Sequence, residues 1–179
     1  VVAWVVLYLV GHKLLLDPYR RLAESESAIK QSEERFKVAV AGSSDGIWDW
    51  NIEQNTVFYS PRFRELLGFQ GDDLEAYPNT FISFEKVLHP DEKEYVKERV
   101  VAHLKDKEPF DVEYRLRSKN GDYLFFRAKG TALWDESGKA TRMAGSITDI
   151  TEQKLAQKAL QAAKERNDLL AQAIEACNL

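Results

Sequence analysis

Phe110-Asp111-Val112-Glu113-Tyr114-Arg115-Leu116-Arg117 alternates strictly between apolar and charged side chains, and this run decides the fold. Successive side chains of a strand point to opposite faces, so a period of two with apolar residues at one parity marks a strand buried on one face and solvated on the other. Asn120-Gly121 follows, the strongest two-residue hairpin signal in the chain, and the return strand covers 123–134. It stops at Asp135-Glu136-Ser137-Gly138, and a fifth strand is expected over 140–148. The segment thus reads as an antiparallel meander.

Upstream, Gly46-Ile47-Trp48-Asp49-Trp50-Asn51-Ile52 is aromatic and strand-like, Glu53-Gln54-Asn55 is a turn, and 56–60 returns as the second strand of a hairpin. Ser60-Pro61 opens a helix through Leu67, with proline at an early helical position and Gly68 as the closing glycine. Short helical turns are expected around 72–76 and 80–88. His89-Pro90-Asp91-Glu92 then begins the longest internal helix, to about Lys105, which carries Val96, Val100 and Leu104 on one face. The expected order is β-β-α-α-α-β-β-β, an α+β architecture in which a five-stranded antiparallel sheet is covered on one face by the inserted helices.

That order and several short pieces resemble the PAS sensor domain, in the subfamily with a tryptophan-rich first strand. The pieces are Ile47-Trp48-Asp49-Trp50, Tyr59-Ser60-Pro61, Glu65-Leu66-Leu67-Gly68-Phe69, Val87-Leu88-His89-Pro90-Asp91, Glu113-Tyr114-Arg115-Leu116-Arg117, Lys119-Asn120-Gly121 and Gly145-Ser146-Ile147-Thr148-Asp149-Ile150-Thr151. No single piece is specific; their order over about 34–153 carries the resemblance. It implies a regulatory module of a membrane-bound bacterial signalling protein, whose parent is a histidine kinase or a diguanylate cyclase/phosphodiesterase. The alternative is a ligand-free dimerisation and spacer module.

The chain has 179 residues, 44% of them hydrophobic and 30% charged, and a net charge of -4. This is a globular composition with no nucleic-acid signal. The single cysteine, Cys177, excludes an internal disulfide and a zinc cluster, and suits a reducing compartment. No phosphate loop, nucleophile–histidine pair or autophosphorylation box is visible, so no catalytic residue is assigned.

Trp48 and Trp50 share one face of their strand and either line a ligand cavity or pack beneath a flanking helix. His89-Pro90-Asp91 reads as a helix start, with His89 or Asp91 bonding orphan amides. Light-sensing PAS relatives form a flavin adduct on a cysteine of a short helix; 79–88 has none, which excludes that adduct. Haem-binding relatives use a histidine of the long helix, and His103, flanked nearby by Lys105 and Asp106, is expected to be a partly exposed residue rather than an iron ligand. A noncovalent flavin or small organic ligand stays open.

Both ends point beyond the sensor. Residues 1–16 are apolar with one charge and read as the end of a transmembrane helix, or alternatively as a buried or interfacial helix. Lys13, Arg20 and Arg21 place the downstream side in the cytoplasm, hence an inner-membrane protein with a cytoplasmic PAS domain. Pro18 marks a kink or a new helix start, and 17–35 is a connector helix or weak coiled coil preceding a PAS domain over 36–151. Over 152–179, Ala156, Leu160, Ala163, Asn167, Leu170, Ile174 and Cys177 follow heptad spacing, with Asn167 fixing the register of a parallel homodimer; the alternative is a helix folded back on its own domain. Leu170, Ala173, Ile174 and Ala176 repeat the spacing of Phe36, Ala39, Val40 and Gly42, as though a second PAS domain followed. Asp149, Ile150 and Thr151 join the last strand to this helix and are the expected coupling residues, with Asp149 or Thr151 as the cap.

Overall fold

The computed structural model describes residues 2–70 and 75–177; of 2–18 and 174–177 it describes the backbone alone. The chain divides into two units, Val1–Ser43 and Ser44–Leu179. The first contains one helix, α1 (Val2–Gly42), which runs unbroken through Pro18. No break or restart occurs at that proline. Leu22, Ile29 and Phe36 of α1 are all exposed. Among the described residues no helix is long and apolar enough to cross a membrane.

The second unit is built on β1 (Gly46–Asn51), β2 (Thr56–Tyr59), α2 (Pro61–Leu66), α3 (Phe81–Val87), a 3-10 turn (Pro90–Glu92), α4 (Lys93–Asp106), β3 (Phe110–Arg117), β4 (Tyr123–Trp134), β5 (Ala140–Asp149) and α5 (Thr151–Cys177). The five strands form one antiparallel sheet in the order β2-β1-β5-β4-β3. The expected element order and the α+β sheet are both present. The expected turn at 72–76 lies largely outside the described residues.

The period-two pattern of β3 becomes burial: Phe110, Val112, Tyr114 and Leu116 are buried, whereas Asp111, Glu113 and Arg117 are exposed. Across the ladder Ala128 faces Val112 and Ile147 faces Ala128, which places all three on the inner side. Phe63 and Leu67 of the α2 segment, Tyr77, Leu88 and Val96 of α4 complete the core. Burial of each such large side chain stabilises the fold by about 1.5–3 kcal/mol. The outer side carries opposite charges on diagonal cross-strand neighbours: Arg142 pairs with Asp49, and Arg127 binds Asp111 through two bonds of 2.7 and 2.6 Å.

Side chains at element ends fix how the helices leave the sheet. Ser60 is fully buried, and its Oγ accepts from the Phe63 amide at 3.2 Å, capping α2, and from the Ile47 amide of β1 at 2.9 Å. Gly68, with φ at 82°, closes α2 in the left-handed region, where a side chain is costly. His89 Nδ1 accepts from the Asp91 amide at 3.2 Å, which makes the His-Pro-Asp piece the helix start expected for it.

Candidate functional site

Two places carry the chemistry of the module, the inner cavity and the junction between β5 and α5. Trp48 and Trp50 alternate with Asp49 along β1, and both indoles line an apolar cavity of about 50 Å³. Its wall continues through Phe81 and Phe84 of α3, Val96 and Val100 of α4, and Met143 of β5. Trp50 stacks on Phe81 with centroids 4.6 Å apart, under α3, and its Nε1 donates to Asn55 Oδ1 at 3.3 Å. Trp48 meets Phe110 edge to face at 6.2 Å, and its Nε1 is buried with no protein acceptor.

The sheet is shaped to receive Trp48. A Cβ on Gly130 would lie 2.8 Å from Trp48 Cη2, and one on Gly145 would lie 2.6 Å from Trp48 Cζ2. The indole thus rests on bare backbone where β4 and β5 pair Gly130 with Gly145. Nothing about either glycine in isolation signals this in the sequence; the meaning lies in their cross-strand pairing.

Two buried phenols, Tyr59 and Tyr114, line the cavity, and Tyr77 packs against Tyr59. Burial pushes Tyr59, Tyr77 and Tyr114 above the ordinary tyrosine value. Tyr59 donates to the Thr80 carbonyl at 3.1 Å, tying β2 to the start of α3. Beside it Arg64 is 2% exposed, bonded to the Tyr59 carbonyl and to Asn79 Oδ1, each at 2.5 Å. An arginine in Pro-Arg-Phe-Arg-Glu-Leu reads as surface, and sequence reasoning missed it.

His103 departs from expectation. It is 5% exposed rather than partly exposed, because Trp134 and Phe110 close over it with centroids at 5.6 and 6.0 Å. Its Nδ1 lies 2.5 Å from the Glu108 carbonyl, an acceptor only, so Nδ1 carries a proton, and Nε2 is buried without a partner. It does not line the cavity, and a haem iron placed there would have no histidine of α4 within the wall. A flavin or haem also exceeds the present cavity of about 50 Å³. Among the described residues no group of three or more His, Cys, Asp or Glu is placed to hold a metal ion.

The junction is stitched by all three residues of Asp149-Ile150-Thr151. Asp149 Oδ1 accepts from the Thr151 amide at 2.8 Å, which satisfies one of the free donors at the start of α5. Ile150 is buried, and its amide donates to the Phe125 carbonyl of β4 at 2.9 Å. Thr151 does not cap the helix. Its Oγ1 accepts from the Phe125 amide at 2.9 Å, extending the ladder past its last strand pair. Lys154 of α5 then pairs with Glu113 of β3, and Lys158 lies over the Phe125 ring at 5.1 Å.

Beyond these turns α5 does not fold back on the sheet. Ala156, Leu160, Asn167 and Leu170 of the heptad series are exposed and Ala163 is half-buried, while the side chains of Ile174 and Cys177 lie outside the described residues. Leu155 and Leu169 are exposed as well, so the apolar stripe is broader than the heptad positions alone.

A family model described as PAS fold matches residues 56–147. The chain belongs to the PAS fold family. A solved PAS neighbour, a sensory box histidine kinase/response regulator from Burkholderia thailandensis, superposes with a TM-score of 0.64 at 35% identity, covering 75% of this chain and 98% of that one. Among curated relatives, the sensor protein FixL of Bradyrhizobium diazoefficiens is 31% identical over 127 residues, 71% of this chain and 24% of FixL. The probable diguanylate cyclase DgcE of Escherichia coli is 27% identical over 151 residues, 84% of this chain and 13% of DgcE. The chain thus matches a quarter or less of these curated relatives' lengths, and they are signalling proteins by name.

Proposed function

We propose that this PAS domain is a regulatory module that relays a ligand or conformational signal from its sheet, through Asp149, Ile150 and Thr151, into α5 and on to an output domain in the same polypeptide. The bond from the Phe125 amide to Thr151 Oγ1 carries the reading, because it makes the first residue of α5 a partner of β4. A shift of β4 against β5 then displaces the helix start rather than dissipating in a loop. The output is a histidine kinase or a diguanylate cyclase/phosphodiesterase; relatives of this chain are named as a sensor histidine kinase and a probable diguanylate cyclase. The module itself is regulatory and performs no catalysis.

The receiver of the signal is a homodimeric helix. Leu160, Ala163, Asn167, Leu170 and Ile174 form its seam, with Asn167 selecting register at some cost in stability. At the other end, Lys13, Arg20 and Arg21 favour a cytoplasmic PAS domain anchored at the inner membrane through the amino-terminal segment. The 50 Å³ cavity supports a second reading, a ligand-free dimerisation and spacer module whose core is filled by its own tryptophans.

The test is output activity in the full-length protein carrying Asp149→Ala or Thr151→Ala. The relay reading expects a folded protein whose output no longer responds to its input. Wild-type responsiveness in both variants would overturn it. Asn167→Leu is expected to change oligomeric state or register by light scattering and crosslinking, and an unchanged result would remove the seam.

A further inference from the structure

The helix α1 carries an apolar stripe that the proposed relay does not use. Leu22, Ile29 and Phe36 recur every seven residues, and they are 58, 58 and 53% exposed. Because α1 is continuous from Val2 to Gly42, the three share one face over about four turns. Three residues after each of them stands a small side chain, Ser25, Ser32 and Ala39, and these are exposed too. Large and small residues spaced three and four apart occupy the a and d positions of a heptad, with 22, 29 and 36 at a and 25, 32 and 39 at d. Small side chains at d let a second helix approach until the large residues at a interlock.

The charges beside the stripe say what covers it. Arg21 and Arg35 fall at g on one side, and Glu26 and Glu33 fall at e on the other. Arg21 and Glu26 are about 140° apart around their own helix, too far round to pair within it. Arg20 pairs instead with Glu24, one turn on, at 2.8 Å. In a parallel two-stranded coil a g residue meets the e residue five positions on in the other helix, so Arg21 of one copy meets Glu26 of the other, twice by symmetry. In an antiparallel pair g meets g and e meets e, which sets arginine against arginine and glutamate against glutamate. The remaining parallel crossings match Ala28 with Glu33 and Arg35 with Val40, where the long stems lie along apolar partners without a clash of charge. The stripe is thus complementary to a second copy of itself in one sense only.

We infer that α1 is a docking surface for a second copy of this chain, residues 22–39 pairing in parallel and in register, with Leu22, Ile29 and Phe36 in the seam and Arg21 with Glu26 selecting the sense. This interface is separate from the α5 seam and agrees with it, since Asn167 selects a parallel pair as well. With only small residues at d the α1 contact is weak alone, and it gains strength where α5 already holds two chains together, because the second contact then forms within one assembly. To that extent the inference rests on the proposed α5 dimer.

The test is disulfide crosslinking of the 179-residue chain, with Cys177→Ser removing its single cysteine. Ser32→Cys, at d, is expected to crosslink to its counterpart under mild oxidation, whereas Ser27→Cys, on the opposite side of the helix, is not. Both positions are exposed, so neither substitution disturbs a core. Arg21→Glu should slow the Ser32→Cys crosslink about threefold to fivefold, and adding Glu26→Arg should restore it, a rescue that a solvated helix would not show. Ala163→Cys reports the α5 seam independently. Crosslinking at Ala163→Cys with none at Ser32→Cys would overturn the α1 interface and leave the α5 seam standing. Equal crosslinking at Ser27→Cys and Ser32→Cys would overturn it as well, and crosslinking at neither Ser32→Cys nor Ala163→Cys would remove both interfaces. A double reversal that fails to restore the crosslink would overturn the parallel sense.

Discussion

Thr151 Oγ1 accepts a hydrogen bond from the amide of Phe125, 26 residues earlier in the chain, at 2.9 Å. A hydroxyl at the start of a helix ordinarily serves the helix; here it serves the neighbouring strand, and Asp149 takes over the helix amide. Thr151→Val keeps the shape and removes the acceptor, leaving the Phe125 amide unpaired. The expected cost is about 1–3 kcal/mol in urea denaturation, with Thr151→Ser close to wild type. Equal stability of the valine and serine variants would show that the bond contributes nothing.

Gly145 and Gly130 pair across β4 and β5, but they do not tolerate a side chain equally. A Cβ at Gly145 would sit 2.0 Å from the Lys129 carbonyl oxygen and 2.8 Å from Gly130 Cα, both backbone atoms that cannot yield without breaking the ladder. At Gly130 the nearest atoms belong to the Trp48 ring, at 2.8 and 2.9 Å. Gly145→Ala should cost about 3 kcal/mol or more, and Gly130→Ala less, with a changed Trp48 environment seen by fluorescence. The reverse ranking in thermal unfolding would contradict this packing.

Acid and alkali act on different groups. Hydrogen bonding from Arg127, together with the charges of Arg127 and Lys129, lowers Asp111 from 3.8 to about 2. Its contribution is present above pH 3.8 and is lost as the pH falls from there toward 2. Asp111→Asn should flatten that part of the stability curve; an unchanged acid limb would count against the pair. At the other end burial raises Tyr59, Tyr77 and Tyr114 above 10, so their contribution is present below pH 10 and declines as the pH rises further. Of the seven tyrosines, these three should ionise only with unfolding when followed by ultraviolet absorption. Ionisation in the folded protein near pH 10 would contradict their burial.

Local pattern made the strands legible. Phe110, Val112, Tyr114 and Leu116 announce their face by parity alone, and Ser60-Pro61 and His89-Pro90-Asp91 announce helix starts because a cap bonds amides two or three residues away. The Asp149 contact was legible for the same reason, the Thr151 contact was not, since its partner is set by the register of β4. His103 read as partly exposed from Lys105 and Asp106, yet its burial depends on Trp134, which arrives from β4. Arg64 likewise is buried by partners on β2 and before α3. Pattern reports the periodic face of an element; it does not report which distant residue covers a polar one.

Amide hydrogen exchange of the wild type and Thr151→Val tests the coupling most directly. Lys154 bonds back to the Ile150 carbonyl at 2.9 Å, within the first turn of α5, and Phe125 bonds to Thr151 across the junction. If strand and helix open as one unit, the Phe125 and Lys154 amides lose protection together and by similar factors in the variant. A Lys154 amide that keeps wild-type protection while Phe125 exchanges freely would contradict the claim that β4 and α5 move together.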